Sequence, residues 1–356
     1  MMKAWILDSP GGAFNLKDVP IPKAGSGTVV VKLEAVPLLS YMRSYIDGKL
    51  PYFYPQRPFT PGTNGIGRII EVGPEVYGMS VGQRVAVNPY LIANEPSAEP
   101  NEILMGLTGI TSNSGALLDR WASGTLREYC CVPASTVVPL TGLDDLPAEH
   151  LATLAKFIVP FGGLRRGRLM AGETLIVNGA TGYFGSAAVL LGQTLGASEI
   201  VAVGRNVESL ATLKGKIGNQ VRAVALSGNT EVDLKQLRGQ GNGIDMAFDM
   251  VGQAADSAGT LTALRALRRN GRLVLMGSMT VPLPVPYGEM LLNNWEIIGH
   301  FMYSAEDYRR LIALVASSQL DLSMIPVKVF ALDQLVLAMD AASVMRSLDC
   351  VSILMK

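Results

Sequence analysis

A glycine-bearing loop between an apolar strand and a helix is the most chemically informative feature of the sequence. Residues 173–180 (ETLIVNGA) form a predicted strand that runs into the pattern Ala180-x-Gly182-x-x-Gly185. In a dinucleotide-binding fingerprint, glycine lets the backbone approach a pyrophosphate and pack closely on the strand, and the helix N-terminus offers N–H groups to the phosphates. The loop therefore predicts a dinucleotide site, with alanine in the first glycine position. The residues assigned to it are Ala180, Thr181, Gly182, Tyr183, Phe184 and Gly185.

The end of the next predicted strand bears on which dinucleotide binds. NAD-binding proteins place an aspartate or glutamate there, about 20 residues further on, to accept hydrogen bonds from the adenosine ribose. Here residues 199–203 (EIVAV) are followed by Gly204, Arg205 and Asn206. The glycine leaves room for a 2′-phosphate, and the arginine offers that phosphate a planar cation. These three residues predict NADP(H) as the cofactor.

Further strings complete a resemblance that covers nearly the whole chain. They are MKAWIL at residues 2–7, PGTNGIG at 61–67, EVG at 71–73, VGQRV at 81–85, GE at 172–173, GID at 243–245, DMVG at 249–252 and NGRLVLMGS at 270–278. With the fingerprint loop, they resemble the medium-chain dehydrogenase/reductase superfamily and, within it, the zinc-free quinone oxidoreductase and enoyl reductase branch. The resemblance implies that Val251, Gly252, Gly277 and Ser278 also bind the cofactor.

The same resemblance implies an α/β fold in which a Rossmann domain is inserted in a GroES-like, mostly-β catalytic domain. The Rossmann domain, a doubly wound parallel sheet that binds NADP, would span residues 157–301. The catalytic domain would comprise residues 1–156 and 302–356. The sequence pattern agrees, because strand-like runs with Gly/Pro turns come first and strands alternate with helices from about residue 173. Residues 88–125 are predicted to be a long irregular excursion.

Zinc-dependent members of this superfamily hold their catalytic metal with a cysteine, the histidine of a Gly-His-Glu string, and a second cysteine or a carboxylate. The resemblance places Leu39, Thr63 and Ala155 at these positions. Leucine and alanine have no donor atom, and a threonine hydroxyl is a poor zinc ligand beside imidazole or thiolate. Residues 88–125, where the structural zinc lobe of such enzymes would lie, contain no cysteine. We therefore predict no metal site.

Without a Lewis acid, the reaction should form an anion that needs little stabilisation. Hydride addition to a simple ketone produces an alkoxide, whereas addition to a quinone or an enone produces a phenolate or an enolate, whose charge is delocalised. We therefore predict an NADPH-dependent oxidoreductase that acts on a quinone or an α,β-unsaturated carbonyl. Two alternatives stay open: a zinc-free alcohol or aldehyde dehydrogenase, and a non-catalytic NADPH-binding protein of crystallin or sensor type.

Tyrosines are concentrated in residues 41–54 (YMRSYIDGKLPYFY). In the enoyl reductases that the sequence resembles, a tyrosine shortly before the Gly-His-Glu position donates a proton. Tyr52 is the nearest match, with Tyr54 and Tyr45 behind it, and a phenol with a pKa of about 10 is able to protonate an enolate. Tyr52 and Tyr54 are thus the predicted catalytic residues. The alternative is that these rings only line an apolar pocket.

Composition argues against several classes of partner. The 356 residues include 30 Lys+Arg and 30 Asp+Glu, so no excess of charge marks the chain as a binder of nucleic acid or of anionic membranes. We find neither an apolar run of roughly 18–20 residues nor a signal-peptide pattern. Three cysteines, two of them adjacent, make no disulfide framework. We therefore expect a cytoplasmic protein with a small-molecule substrate, and the resemblance implies a homodimer formed through the strand around Ile298.

Overall fold

The computed structural model describes residues 1–241 and 243–355. The strands are β1 Met2–Leu7, β2 Phe14–Val19, β3 Thr28–Pro37, β4 Gly65–Val72, β5 Arg84–Val87, β6 Tyr90–Ala93, β7 Asn101–Leu104, β8 Thr108–Gly109, β9 Tyr129–Pro133, β10 Val137–Pro139, β11 Thr174–Asn178, β12 Glu199–Gly204, β13 Val221–Ala225, β14 Ile244–Asp249, β15 Leu267–Leu275, β16 Glu296–Gly299, β17 Val327–Ala331 and β18 Cys350–Leu354. The α-helices are α1 Met42–Ile46, α2 Gly115–Arg120, α3 Ala148–Ala152, α4 Leu154–Arg166, α5 Tyr183–Thr194, α6 Val207–Ile217, α7 Thr230–Arg238, α8 Ala258–Ala266, α9 Tyr287–Asn293, α10 Ala305–Ala316 and α11 Leu335–Ser343. Within these described ranges, no helix combines the length and the apolar character needed to cross a membrane.

The chain divides into two compact units. Unit 1 contains Met1–Ala155, Leu322–Met345 and Asp349–Lys356, of which the last residue lies outside the described part of the chain. Unit 2 contains Lys156–Asp321 and Arg346–Leu348. Unit 2 therefore interrupts unit 1 in the sequence.

Unit 2 is a doubly wound parallel sheet with the order β13-β12-β11-β14-β15-β16. Its central strands are mostly apolar in their middle positions because helices cover both faces of such a sheet. Ile176, Val201, Ala247 and Leu273, one from each of four adjacent strands, belong to one buried cluster. The strand order reverses at β11, and in open α/β sheets ligands bind at the carboxyl ends of the strands beside such a reversal. This confirms the predicted Rossmann fold.

Unit 1 is mostly β-structure, as the GroES-like prediction requires. Its main sheet has the order β10-β5-β4-β3-β18-β17, and β9 also pairs with β3. The central strand β3 alternates little because it is buried at most positions on both faces. Since β17 and β18 come from the second and third segments of unit 1, its main sheet contains strands from all three segments.

The prediction that residues 88–125 are irregular is wrong in part. They contain the small antiparallel sheet β6-β7-β8 and helix α2. Leu91, Ile103 and Leu118 are buried there and anchor the segment. Strands of two to four residues separated by Pro, Ser and Gly are too short to give a clear alternating pattern.

Residues 302–321 lie with unit 2, although the sequence prediction placed them in the catalytic domain. Helix α10 carries Asp307, which forms an ion pair with Arg165 at the end of α4. A Cβ at Gly162, also on α4, would lie 2.7 Å from the Met302 carbonyl oxygen. This close packing of helix on backbone moves the boundary, and no local pattern in the sequence reports it.

Candidate functional site

The fingerprint loop gives helix α5 an open N-terminus. Gly182 is its N-cap residue, in an extended conformation, and no side chain caps the helix there. A Cβ at Gly185 would lie 2.0 Å from the Gly179 carbonyl oxygen, so only glycine fits that position. The first-turn N–H groups of α5 are therefore left to an external acceptor such as phosphate. Gly179, which has a φ of +78°, was not singled out from the sequence, although the Asn-Gly pair after the strand was a usable signal.

The two predicted cofactor segments lie against each other. The Ala180 N–H donates to the Val203 carbonyl oxygen over 2.9 Å, and a Cβ at Gly204 would lie 3.3 Å from the Thr181 side chain. The Arg205 side chain is exposed and has no hydrogen bond or ion pair with the described residues. Its guanidinium is thus available to an anionic group at the end of β12.

Asn206 has a structural task that the sequence reasoning missed. Its Oδ1 accepts a hydrogen bond from the Ser209 N–H over 2.8 Å and caps helix α6. An asparagine directly before a helical pattern is a usual N-cap signal. Its assignment to the cofactor stays a prediction.

The other predicted cofactor residues meet at the carboxyl ends of β14 and β15. A Cβ at Gly277 would lie 2.2 Å from the Val251 carbonyl oxygen, which requires glycine at that position. The Ser278 hydroxyl donates to the Gly252 carbonyl oxygen over 3.3 Å. The loop after β14 and the loop after β15 are therefore held together along their backbones.

A buried aspartate fixes the first of these loops. Asp249 is 2% exposed and accepts hydrogen bonds from the Asn178 side-chain amide at 2.9 Å, the Thr260 hydroxyl at 2.6 Å and the Val251 N–H at 3.0 Å. Because its acceptors are satisfied in this way, the carboxylate is a structural tie between β11, β14 and α8. Asp249 stands in one of the strings that carry the family resemblance, but it was not assigned a role.

A buried lysine is connected to the fingerprint loop through Ser347. Lys156 is fully buried on α4, and its ammonium donates to the Ser347 carbonyl oxygen over 2.7 Å and lies 4.0 Å from the centre of the Tyr183 ring. The Ser347 N–H in turn donates to the Thr181 carbonyl oxygen over 3.2 Å. Burying a cation is costly unless it is paired, and here a carbonyl and an aromatic face share it. Sequence reasoning missed Lys156, although a lone cation in an apolar helix was visible.

The tyrosines of residues 41–54 form one aromatic cluster in unit 1. Tyr45 is fully buried, stacks on Tyr54 with ring centres 4.7 Å apart, and contacts Tyr52 at 5.9 Å. Tyr52 meets Tyr41 edge to face at 6.3 Å. The structure thus brings both predicted catalytic tyrosines together.

Hydrogen bonds distinguish the tyrosines from one another. The Tyr45 hydroxyl donates to the Leu107 carbonyl oxygen over 2.6 Å, and the Tyr54 hydroxyl donates to the Tyr45 carbonyl oxygen over 2.9 Å. Burial and then the neighbouring phenols raise the pKa of Tyr45, and burial and then the Tyr52 phenol raise the pKa of Tyr54. The Tyr52 hydroxyl has no backbone partner among the described residues, and its hydrogen bond is with the Tyr41 side chain. This geometry favours Tyr52 over Tyr54 as a proton donor, an assignment that stays a prediction.

A second polar feature of unit 1 lies at residues 62–64. A Cβ at Gly124 would lie 1.7 Å, and one at Gly106 2.3 Å, from the Gly62 carbonyl oxygen, so three backbone segments meet without side chains between them. The backbone packing at Gly62 fixes the residues that follow it. There the Thr63 Oγ1 and the Asn64 Nδ2 are buried and have no hydrogen-bond partner among the described residues. An unpaired buried polar atom is unfavourable, so these two groups point to a ligand that completes them. Asn64 was not considered from the sequence.

Comparisons with known proteins agree with this architecture. The family model described as an alcohol dehydrogenase GroES-like domain matches residues 25–142, and the one described as a zinc-binding dehydrogenase matches residues 184–317. Together the two matches cover more than half of the chain. The chain belongs to the medium-chain dehydrogenase/reductase superfamily.

Individual relatives of this superfamily member are distant but match almost end to end. An alcohol dehydrogenase of Geobacillus stearothermophilus is 26% identical over 319 residues, which are 88% of each chain. The structure of 2R,3R-butanediol dehydrogenase from Bacillus subtilis has a TM-score of 0.81 at 19% identity, with 99% of both chains covered. A zinc-binding dehydrogenase of Sinorhizobium meliloti 1021, solved bound to NADP, has a TM-score of 0.78 at 21% identity and the same coverage.

This medium-chain dehydrogenase/reductase is therefore an oxidoreductase of a family that binds nicotinamide dinucleotides. The residues at the carboxyl edge of the unit 2 sheet fit such a cofactor, since the open helix terminus at Gly182 and the glycine contacts leave backbone room for it. None of the three relatives described above is named as a quinone oxidoreductase or an enoyl reductase, so membership of that branch stays a prediction.

Zinc, which the name of one matching family implies, does not fit the three residues predicted at its ligand positions. Leu39, Thr63 and Ala155 are all buried, and two of them carry only aliphatic carbon in the side chain. Across residues 1–241 and 243–355, no group of three or more His, Cys, Asp or Glu side chains is placed to hold a metal ion.

Proposed function

We propose that this protein is an NADPH-dependent reductase of conjugated carbonyl compounds, meaning quinones and α,β-unsaturated carbonyls, that works without a catalytic zinc ion. The observation that carries the proposal is the pair of unpartnered, buried groups at Thr63 and Asn64. The family resemblance places Thr63 where the zinc enzymes of the superfamily have a histidine ligand. A hydroxyl and an amide thus replace a metal ligand with hydrogen-bond donors.

Such donors suit one type of product anion better than another. A hydroxyl and an amide are able to donate hydrogen bonds to a substrate oxygen, but they carry no full positive charge. They therefore stabilise a localised alkoxide only weakly. They are adequate for an enolate or a phenolate, because conjugation already spreads the charge. Backbone packing at Gly62 holds the donors in place, so little reorganisation is needed as the charge develops.

NADPH, when bound, supplies the hydride. The end of β12 supports NADPH over NADH, because Gly204 leaves space and the exposed Arg205 offers a guanidinium to the 2′-phosphate. No carboxylate stands at residues 204–206 to repel that phosphate. Tyr52 is the proposed proton donor, since its hydroxyl is not bound to a backbone carbonyl among the described residues.

The test is a substrate panel followed by NADPH absorbance, with and without prior treatment with a chelator. We expect turnover with 2-alkenals, enoyl thioesters or quinones, none with simple ketones, and the same rate after chelation. The isosteric change Thr63→Val should lower kcat/KM on the enone by roughly tenfold or more, which is the usual scale for one donor to a developing anion. A rate that falls with chelation and returns with zinc would contradict the proposal.

The names of the relatives favour a second candidate, the oxidation of an alcohol. The panel therefore includes primary and secondary alcohols with NADP⁺ and NAD⁺. Activity confined to alcohols would assign the protein to a zinc-free alcohol or aldehyde dehydrogenase. Tight NADPH binding without turnover of any panel member would favour a non-catalytic, sensor-like role.

A further inference from the structure

Unit 1 contains a cavity of about 900 Å³ that the proposed reaction does not use. Its wall is built from four parts of the chain: the approach to β3, the segment after the tyrosine cluster, the end of α2 with the turn that follows, and β9 with the residues before it. Trp121 contributes an aromatic surface. The volume is that of a site for a small organic molecule rather than for a single water or ion.

Positive charge is concentrated around this cavity. Lys23, Arg57, Arg120 and Arg127 line it, against one carboxylate, Asp119. Within the described part of the chain, none of the four cations has an ion-pair partner. The whole chain has equal numbers of basic and acidic residues, so four unpaired cations around one cavity are a local departure from the balance.

Arg127 differs from the other three cations because they are exposed, whereas part of its side chain is buried. Its Nε is buried and has no hydrogen-bond partner among the described residues. Burial lowers the pKa of its guanidinium, the direction expected when no carboxylate lies close enough to offset the loss of water. The Arg127 side chain as a whole is partly exposed, but its Nε has lost its water without gaining a carboxylate or carbonyl partner, so we expect the counter-charge from outside the chain.

Two of the other cations have contacts within the wall of the cavity. The Arg57 guanidinium donates to the Asp119 carbonyl oxygen over 2.5 Å, and the Asp119 Oδ1 accepts from the Gln56 N–H over 3.1 Å. One carboxylate oxygen of Asp119 is thereby engaged in fixing the wall. The Arg120 guanidinium carbon lies 5.7 Å from the centre of the Trp121 ring. Arg57 and Arg120 are therefore positioned beside the open volume before any ligand binds.

We propose that this cavity is a binding site for a small multivalent oxyanion, a phosphorylated or polycarboxylate molecule. The Arg127 guanidinium meets its anionic group on the inside, and Lys23, Arg57 and Arg120 neutralise it at the rim. Guanidinium groups bind phosphate and carboxylate through paired N–H donors, which matches the lining. Every lining residue belongs to unit 1, and none of them is among the residues assigned to NADPH.

The experiment is isothermal titration calorimetry of the full chain with inorganic pyrophosphate and, in a separate arm, with citrate. The titration is run with NADPH in excess, so that the phosphates of the cofactor occupy the fingerprint loop. We then expect one further site per chain, with an affinity that falls as salt rises. Arg127→Gln should weaken binding of the preferred anion at least roughly tenfold, the scale of one charge-assisted contact. Asp119→Asn, which keeps the acceptor for Gln56, should strengthen binding. The arm with the tighter binding identifies phosphate or carboxylate as the recognised group.

The control variant is Arg205→Gln, which removes the proposed phosphate contact of unit 2 and should leave this binding unchanged. If Arg127→Gln lowers the melting temperature too far to be used, the double change Arg57→Gln with Arg120→Gln at the exposed rim replaces it, with a loss of roughly tenfold expected. Absence of binding in both arms would overturn the proposal. So would equal affinity in wild type and Arg127→Gln, or a loss that follows Arg205→Gln instead.

Discussion

At the scale of single residues, whether a buried polar group has partners separates structural from functional roles. Asp249 has three donors around its carboxylate and ties strands together. Thr63 and Asn64 are buried to a similar degree, yet one polar atom of each lacks a partner among the described residues. A buried polar atom without a partner lowers the stability of the folded state. The unpartnered groups are therefore the better candidates for ligand contact.

The first residue-level prediction concerns Tyr52. Tyr52→Phe should lower kcat on an enone by at least about tenfold, because a positioned acid typically contributes 10²–10⁴-fold to protonation of an enolate. NADPH affinity should not change, since the hydroxyl acts only as charge develops. On a quinone the loss should stay below about threefold, because water protonates the weakly basic product. Steady-state kinetics with both substrates checks these values.

Tyr54→Phe is the matched control for that prediction. Its hydroxyl donates to the Tyr45 carbonyl oxygen, so its loss removes a structural hydrogen bond worth about 1 kcal/mol. We expect a lower melting temperature and little change in kcat. A larger kinetic effect for Tyr54→Phe would move the proton donor to that residue. If neither change affects either substrate, the tyrosine cluster only lines a pocket.

At the scale of elements, the fingerprint loop could be predicted from the sequence because its glycines are required by local steric constraints. Gly185 has no room for a Cβ, and Gly182 opens the N-terminus of α5. The link from Lys156 to Ser347 joins residues 191 positions apart, so no local pattern reveals it. The β6-β7-β8 sheet also escaped prediction, because its burial arises from tertiary packing of very short strands.

The end of β12 gives a prediction about cofactor choice. We expect NADPH to bind at least roughly tenfold more tightly than NADH, as a charge-assisted contact to a phosphate would produce. The double change Gly204→Asp with Arg205→Ile should reverse this order, because it adds a ribose acceptor and removes the cation. Titration of each cofactor by fluorescence measures both dissociation constants.

Gly204→Ala separates size from charge in that experiment. Its methyl group would lie 3.3 Å from the Thr181 side chain, a tight contact that requires a small shift. With Arg205 intact, NADPH should stay the preferred cofactor even if both affinities fall. Equal binding of NADH and NADPH by the wild type would show that the interpretation of β12 is wrong.

At the scale of the whole molecule, overall composition does not reveal two local features of the surface. One is the cationic cavity of unit 1. The other is an apolar surface on α9, where Tyr287 is 81%, Leu291 65% and Leu292 73% exposed. Helix α9 directly precedes β16 in the sequence. Among the described residues, β16 pairs with β15 and forms an edge of the unit 2 sheet. Exposed apolar side chains beside an open strand edge are typical of an interface.

We therefore predict that the protein is a homodimer formed through β16 and α9 of two copies. Sedimentation equilibrium should give twice the mass of one chain for the wild type. The double change Leu291→Glu with Leu292→Glu should give monomers, because four desolvated carboxylates in a symmetric interface repel one another. Neither leucine is buried within its own chain, so NADPH affinity should be kept. Val344→Glu, at an apolar position of unit 1 that is 71% exposed, is the control and should stay dimeric. A wild type that sediments as a monomer at micromolar concentration would show that the α9 surface serves another purpose, and that the sheet of unit 2 ends at β16.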